Sequence, residues 1–459
     1  MFDKKIYVER RGKLKSLVKS GVLLFLGNDE SGMNYADNTY PFRQDSTFLY
    51  FFGLPYAGLH AIIDLDEGKD IIFGDELSID HIVWMGTQPS LKEKSEKIGI
   101  QHTEPQSALS GYLQKALALG RTIHFLPPYR GEHTLKLFSL LNIAPDELDK
   151  SASVELIKAV VALRSYKSEE EIKEIEKACD ITADMHIEAI KVARPGMREF
   201  EVAAALEAVA FSRGGRLSFP TIATINGQTL HNHSHENVIQ EGGLMLIDAG
   251  AETSMGYAGD MSSTFPVSKK FTARQKDVYD IQVASHLAAV AALKPGIRYT
   301  EVYDIAAGVI FEGLKSLGIT KGNTEDAVRE GAHAMFFPCG LGHMMGLDVH
   351  DMENLGEIWV GHNGQPKSSQ FGRKSIRLGR ELESGFVITV EPGIYFIPEL
   401  IDLWKGQHKF SDFIHYDKLE EYKDFGGIRN EEDYLITDEG ARRLGKKIPL
   451  TAEEVEALR

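Results

Sequence analysis

One eight-residue segment occurs twice in the chain: Pro195-Gly196-Met197-Arg198-Glu199-Phe200-Glu201-Val202 returns as Pro295-Gly296-Ile297-Arg298-Tyr299-Thr300-Glu301-Val302. Each copy follows a long helical pattern and precedes another. Each is then followed by a polar, glycine-rich stretch holding histidines, and by apolar strands that end in acids. A repeat of this kind requires two related halves, and it predicts a pseudo-symmetric α+β fold with a cleft between them. The helix before each copy carries its own capping box, Ser168 with Glu171 and Thr272 with Gln275. Ile172, Ile175 and Cys179 follow the first box at helical spacing, which places Cys179 in a core rather than in a reactive site.

The strands of the two halves end in side chains of metal-ligating type. Asp248 closes the apolar run Leu244-Met245-Leu246-Ile247, and Asp260 sits in Gly259-Asp260-Met261-Ser262. His343 lies in Gly340-Leu341-Gly342-His343, Glu391 in Val390-Glu391-Pro392, and Glu431 in Arg429-Asn430-Glu431-Glu432. Four carboxylates and an imidazole are too negative to share a pocket alone. Two divalent cations balance the carboxylates, and a hydroxide between them is a ready nucleophile. The expectation is a dinuclear metallohydrolase. Asp248 and Asp260 fall on two antiparallel strands joined by the Gly250–Gly259 turn, and Glu391 on a further strand stopped by Pro392. In the last strand, period-two alternation puts Arg429 and Glu431 on one face and Glu432 on the other.

A chain of 459 residues exceeds one ordinary core, so two domains are expected, residues 1–165 and 166–459. The first is α/β: Val22–Leu26, Ala61–Leu65, Asp70–Phe73 and Thr122–Leu126 read as strands, and Glu9–Lys19, Ser90–Ile98 and Gly131–Leu141 as helices. A formal net charge of −16 argues against nucleic acid and anionic membrane as partners. Two cysteines, Cys179 and Cys339, exclude a disulfide framework and fit a reducing cytoplasm. No stretch approaches the roughly 20 apolar residues that span a bilayer, and Val22–Leu26 is a strand rather than a signal core.

Taken in order, Asp248-Ala249-Gly250, Gly259-Asp260-x-Ser262-x-Thr264, Gly340-x-Gly342-His343, Val390-Glu391-Pro392-Gly393-x-Tyr395 and Gly427-x-Arg429-x-Glu431 resemble the pita-bread (creatinase/aminopeptidase-like) metallopeptidases. Within them the chain is similar to the proline-specific branch, aminopeptidase P and prolidase. The N-terminal part resembles that branch's extra domain through Phe42-Arg43-Gln44-Asp45-Ser46-x-Phe48-x-Tyr50 and Trp84-Met85-Gly86; methionine aminopeptidases lack that domain.

The resemblance implies that Asp248, Asp260 and Glu431 hold one metal, and that Asp260, His343, Glu391 and Glu431 hold the other. A bridging hydroxide would attack the carbonyl before proline, with Glu391 shuttling its proton. His350 corresponds to a histidine that steadies the reacting carbonyl, His231 to a second substrate-contacting histidine, and Arg429 to an arginine that orients ligand carboxylates. His233 and His235 read as loop residues. Oxygen-rich ligation favours Mn²⁺, with Zn²⁺ and Co²⁺ as alternatives, and the family implies a homodimer or larger assembly.

Some positions depart from the family pattern. Cys339 stands where a histidine is frequent, four residues before His343, and a thiol cannot become an imidazolium. Asn430 replaces an apolar residue, and the Asp248–Asp260 interval carries one extra residue, assigned to the Ser254–Gly256 turn.

The resemblance implies a peptide substrate with an Xaa-Pro N-terminus. Two activities remain open: an aminopeptidase that trims longer Xaa-Pro peptides, preferred here, and a prolidase that splits Xaa-Pro dipeptides. Prolidases bring an arginine in a segment that Ser375-Ile376-Arg377-Leu378-Gly379-Arg380 resembles, and Arg377 reads either as the grip on a terminal carboxylate or as an exposed salt-bridge partner. The long insert after Glu391-Pro392-Gly393-Ile394-Tyr395-Phe396-Ile397, running to Phe425-Gly426-Gly427, points the same way. Relatives that keep the fold only as a binding scaffold have lost metal ligands, and all five are present here.

Overall fold

The computed structural model describes residues Met1–Arg459, which form two compact units, Met1–Arg164 with Met352–Trp359, and Ser165–Asp351 with Val360–Arg459. The first unit is built on a five-stranded sheet in the order His102–Glu104, Lys69–Phe73, His60–Asp64, Val22–Leu26, Ile123–His124. Val22–Leu26 and His60–Asp64 pair antiparallel and are almost wholly buried, as apolar runs at a sheet centre should be.

The expected elements recur with shifted ends. Helix Gly131–Leu141 is observed as expected. The first helix instead runs Lys4–Leu17, because the Asp3 side chain caps the Lys5 N–H. Ser90 stays outside its helix, Leu91–Glu96, as the cap of a Ser90–Glu93 box. The Thr122–Leu126 strand contracts to Ile123–His124, since the Phe125 carbonyl accepts the Ser153 N–H and leaves the ladder.

In the second unit the sequence repeat becomes a repeated backbone motif. Helix Glu169–Val192 packs on Glu199–Ser212, and Ala273–Ala292 on Tyr299–Ser316. Both capping boxes are formed. Between the helices of each pair lies a Pro-Gly turn with left-handed glycine, φ 88° at Gly196 and 85° at Gly296. Gly196 N–H donates to Ile239 O at 2.9 Å, and Gly296 N–H to Leu382 O at 2.8 Å. The return bonds, Ile239 N–H to Met197 O and Leu382 N–H to Ile297 O, are both 2.8 Å. Asp248 and Glu391 lie equally far along the chain from these two anchor points, at the ends of equivalent strands.

Leu244–Ala249 is the middle strand of three, antiparallel to Met261–Pro266 and Ile222–Thr224. Val387–Val390 pairs with Glu432–Thr437, and Gly393–Tyr395 with Gly427–Arg429. The single last strand expected from alternation is therefore broken. At Asn430 the chain leaves one partner strand for the other, and its carbonyl lies 3.4 Å from the Gln282 amide rather than in a ladder. A lone bridge, Ser262 to Glu431, stitches the two halves.

Candidate metal centre and its cavity

A cavity of about 640 Å³ in the second unit is lined by Asp248, Asp260, His343, Glu391 and Glu431. His231, His350, Arg377 and Arg429 line it as well. Every site residue named from sequence is thus on one surface. Asp248 is carried in mid-sheet; Asp260, Glu391 and Glu431 each stand one residue outside a strand, where the ladder holds the backbone and the side chain is free to turn inward. The turn between the first two acids closes at Thr253–Gly256, with Gly256 N–H on Thr253 O at 2.8 Å.

The donor set fits a cation. One ligand atom each from Asp260, His343 and Glu431 lie within 4.8 Å of one another, and all three residues are buried. His343 donates from Nδ1 to Met344 O at 3.0 Å, which leaves the Nε2 lone pair aimed inward. That nitrogen is 3.3 Å from Asp260 Oδ2 and 3.8 Å from Glu391 Oε1. Asp260 Oδ1 is buried with no hydrogen-bond partner in the protein. Burial and the neighbouring Asp248 push Asp260 up to about 8. Burial likewise raises Glu391, and burial with Asp260 and Glu391 raises Glu431 well above the carboxylate range. Carboxylates whose charged forms are disfavoured by burial and by one another make a pocket that a divalent cation would relieve.

Arg429 is the fixed cation of the site. Burial opposes its charge, but Tyr395, Asp248, Glu431 and Glu391 hold it well above its usual range. Its Nη2 meets Asp248 Oδ2 at 2.5 Å, its Nη1 donates to Tyr395 Oη at 2.9 Å, and its Nε to Ser262 Oγ at 2.9 Å. Ser262 Oγ in turn donates to Glu431 Oε2 at 2.7 Å. Glu432 faces away and bonds Tyr434, His286 and Arg443.

His350 packs against His343, ring centroids 4.1 Å apart and planes tilted by 56°. His231 is held below its usual pKa by burial and then by Arg429. His233, read as a loop residue, is on a loop but also lines the cavity, whereas His235 turns to Thr221 O at 3.1 Å. Cys339 lines the cavity too, its thiol pushed up to about 12 by burial and by Glu391. Cys179 is buried and donates to Asp433 Oδ2 at 3.1 Å.

Three contributors carried no role in the sequence reading. Ser262 and Tyr395 stood inside quoted motifs without one. Asp433, which accepts the Asp260 N–H at 3.0 Å, lies on the same face as Glu431 by simple alternation. That signal was available.

Among known proteins, the profile of metallopeptidase family M24 matches residues 173–438, and that of the aminopeptidase P N-terminal domain matches residues 7–124. The Xaa-Pro dipeptidase of Homo sapiens is 31% identical over 98% of this chain and 90% of its own length. The Xaa-Pro aminopeptidase of Escherichia coli strain K12 is 32% identical over 92% and 90%. A solved structure of zinc-substituted E. coli aminopeptidase P in complex with product superposes with a TM-score of 0.80 at 29% identity, covering 100% of this chain and 98% of that one.

Proposed function

The chain belongs to metallopeptidase family M24, and from that premise we propose that it removes the N-terminal residue from peptides with proline in second position. The observation that carries this reading is the five-ligand cavity closed by Arg429 and flanked by His231 and His350. Similarity to an Xaa-Pro aminopeptidase over 92% of the chain supports the proline preference. Residues 166–459 would be the catalytic domain and 1–165 an N-terminal domain of aminopeptidase P type.

Two ions would be held as the ligand sets overlap: Asp248, Asp260 and Glu431 for one, and Asp260, His343, Glu391 and Glu431 for the other. With five donor residues of which four are carboxylates, manganese suits the set best. Bound divalent cations supply Lewis acidity and an activated water. The chain's own groups do the rest. Glu391 is disposed to take the proton of the attacking water and return it to the proline nitrogen. His350 and His231 hold the substrate carbonyl and backbone, while Arg429 fixes Asp248 and, through Ser262, Glu431. A proline nitrogen carries no N–H, so the pocket needs shape and terminus recognition rather than an amide acceptor there.

Arg377 supports a second reading. It lines the same cavity, where its fork could take a carboxylate directly behind proline, as cleavage of Xaa-Pro dipeptides requires. The deciding experiment compares an Xaa-Pro dipeptide with an Xaa-Pro-Yaa tripeptide under added Mn²⁺. Tripeptide cleavage is expected; cleavage of the dipeptide alone overturns the aminopeptidase reading in favour of the second. No helix is long and apolar enough to cross a membrane. Both cysteines are free, which agrees with a reducing, cytoplasmic setting. A dimer or larger assembly is part of the same proposal, measurable by light scattering.

A further inference from the structure

Lys167 and Asp351 form an ion pair, Nζ to Oδ2 at 2.8 Å, with each side chain only 1% exposed. Burying two charges sacrifices their hydration, and such a pair adds little net stability over apolar side chains of the same size. Its place in the chain gives it another task. Asp351 directly follows His350, which lines the cavity and packs against the His343 ring.

The segment from Met344 to Asp351 is a closed loop. Asp351 N–H returns to Met344 O at 2.8 Å, and Gly346 N–H donates to Asp348 O at 3.0 Å. The Asp351 carboxylate accepts Asp348 N–H at 3.3 Å on one oxygen and Lys167 on the other. Lys167 is itself immobilised: its N–H donates to Gly385 O at 2.9 Å, and Ser168 next to it caps the long helix. Gly346 makes room for the pair, since a Cβ there would meet Asp351 Oδ2 at 2.7 Å and Lys167 Cε at 2.9 Å. The glycine is needed for space, not for a left-handed backbone.

We propose that the Lys167–Asp351 pair is a positioning device that ties the His350 loop to the start of the Glu169–Val192 helix and so sets the imidazole at the substrate. The inference rests on His350 acting on substrate. In it Lys167 and Asp351 touch no substrate and act only through His350.

A double-mutant cycle tests it. Lys167→Met/Asp351→Asn removes both charges of the pair together. In the wild-type background kcat on an Xaa-Pro peptide is expected to fall roughly tenfold with KM little changed. In a His350→Ala background the same change should alter kcat by no more than about twofold. In isotope-labelled protein, the His350 ring resonance should shift while that of His235 stays. Gly346→Ala, which crowds the pair without removing it, provides the same cycle if the double variant does not fold. Equal losses in both backgrounds, or a His350 resonance that does not move, overturn the proposal. If His350→Ala alone leaves kcat intact, the substrate role of His350 fails instead, and the resonance decides the positioning claim by itself.

Discussion

Ser262 and Glu431 come from opposite halves of the repeat, yet Ser262 Oγ donates to Glu431 Oε2 at 2.7 Å while Glu431 N–H donates to Ser262 O at 3.0 Å. Side chain and backbone are latched together where the half carrying Asp248 and Asp260 meets the half carrying Glu391 and Glu431. Because Ser262 also accepts from Arg429, a single hydroxyl orients both the arginine and the Glu431 carboxylate.

Replacing Ser262 by Ala leaves Glu431 without its donor and Arg429 Nε without its acceptor. Metal affinity or kcat/KM should drop about 10- to 100-fold, as for other partners that orient ligands. Titration of activity against free Mn²⁺ separates the two. Ser262→Thr, which keeps the hydroxyl, should recover most of the loss.

Asp260 belongs to both proposed metal sets, so Asp260→Ala strips both at once. Peptidase activity should fall by about a thousandfold or more. A variant that works at near wild-type rate under manganese refutes the ligand assignment.

Metal-free protein should show an inverse stability–pH relation. Asp260 is pushed up to about 8 by burial and Asp248, far above its unfolded value. The folded state therefore takes up the extra proton, and the stability this provides is present at low pH and lost as pH rises through about 8. Protons compete with cations for the same oxygens, so stabilisation by added metal must grow in the same direction. Thermal melts of chelated and Mn²⁺-loaded protein between about pH 5 and pH 8.5 should diverge as pH rises; parallel curves would show that the carboxylates are not protonated in the metal-free state.

Cys339 faces the cavity but is pushed up to about 12 by burial and Glu391, and Cys179 is raised well above its usual value by burial and Asp433. Alkylation requires thiolate, so native protein should react with iodoacetamide at least about 100-fold more slowly than unfolded protein at neutral pH. Mass spectrometry of labelled peptides gives both rates. Rapid labelling of Cys339 would show that the thiol is ionised in the native cavity.

Gly196 and Gly296 hold equivalent left-handed turns, and a Cβ at either meets nothing within 4 Å. Only backbone strain is at stake, so Gly196→Ala and Gly296→Ala should each cost about 1 kcal/mol in urea unfolding. Unequal costs would mean that the repeat is not a structural equivalence.

Much of the site was legible because its chemistry is written locally. Asp248, Asp260, His343, Glu391 and Glu431 each sit in a short motif, and alternation separated Glu431 from Glu432 even though the strand breaks at Asn430. Glu432 does turn away from the cavity, to the buried His286 and Tyr434. The Asn430 amide shows why the break was invisible. Its Nδ2 donates to Gln282 Oε1 at 2.5 Å, and Gln282 donates to Pro392 O at 2.6 Å. A buried amide looks like a loop residue until its distant partner is known.

The sequence by itself determined the two-half plan, the turns at Gly196 and Gly296, the candidate ligand side chains and the motifs that define the family. Those properties depend on periodicity, on turn conformation and on side-chain identity, all of which act over a few residues. Only the tertiary structure decided which atoms serve which: Ser262 between Arg429 and Glu431, Asp433 behind Asp260, and Lys167 behind His350. Hydrogen bonds and ion pairs are selected by distance in space, and a chain that folds back on itself brings residue 167 to residue 351 with no trace in either neighbourhood.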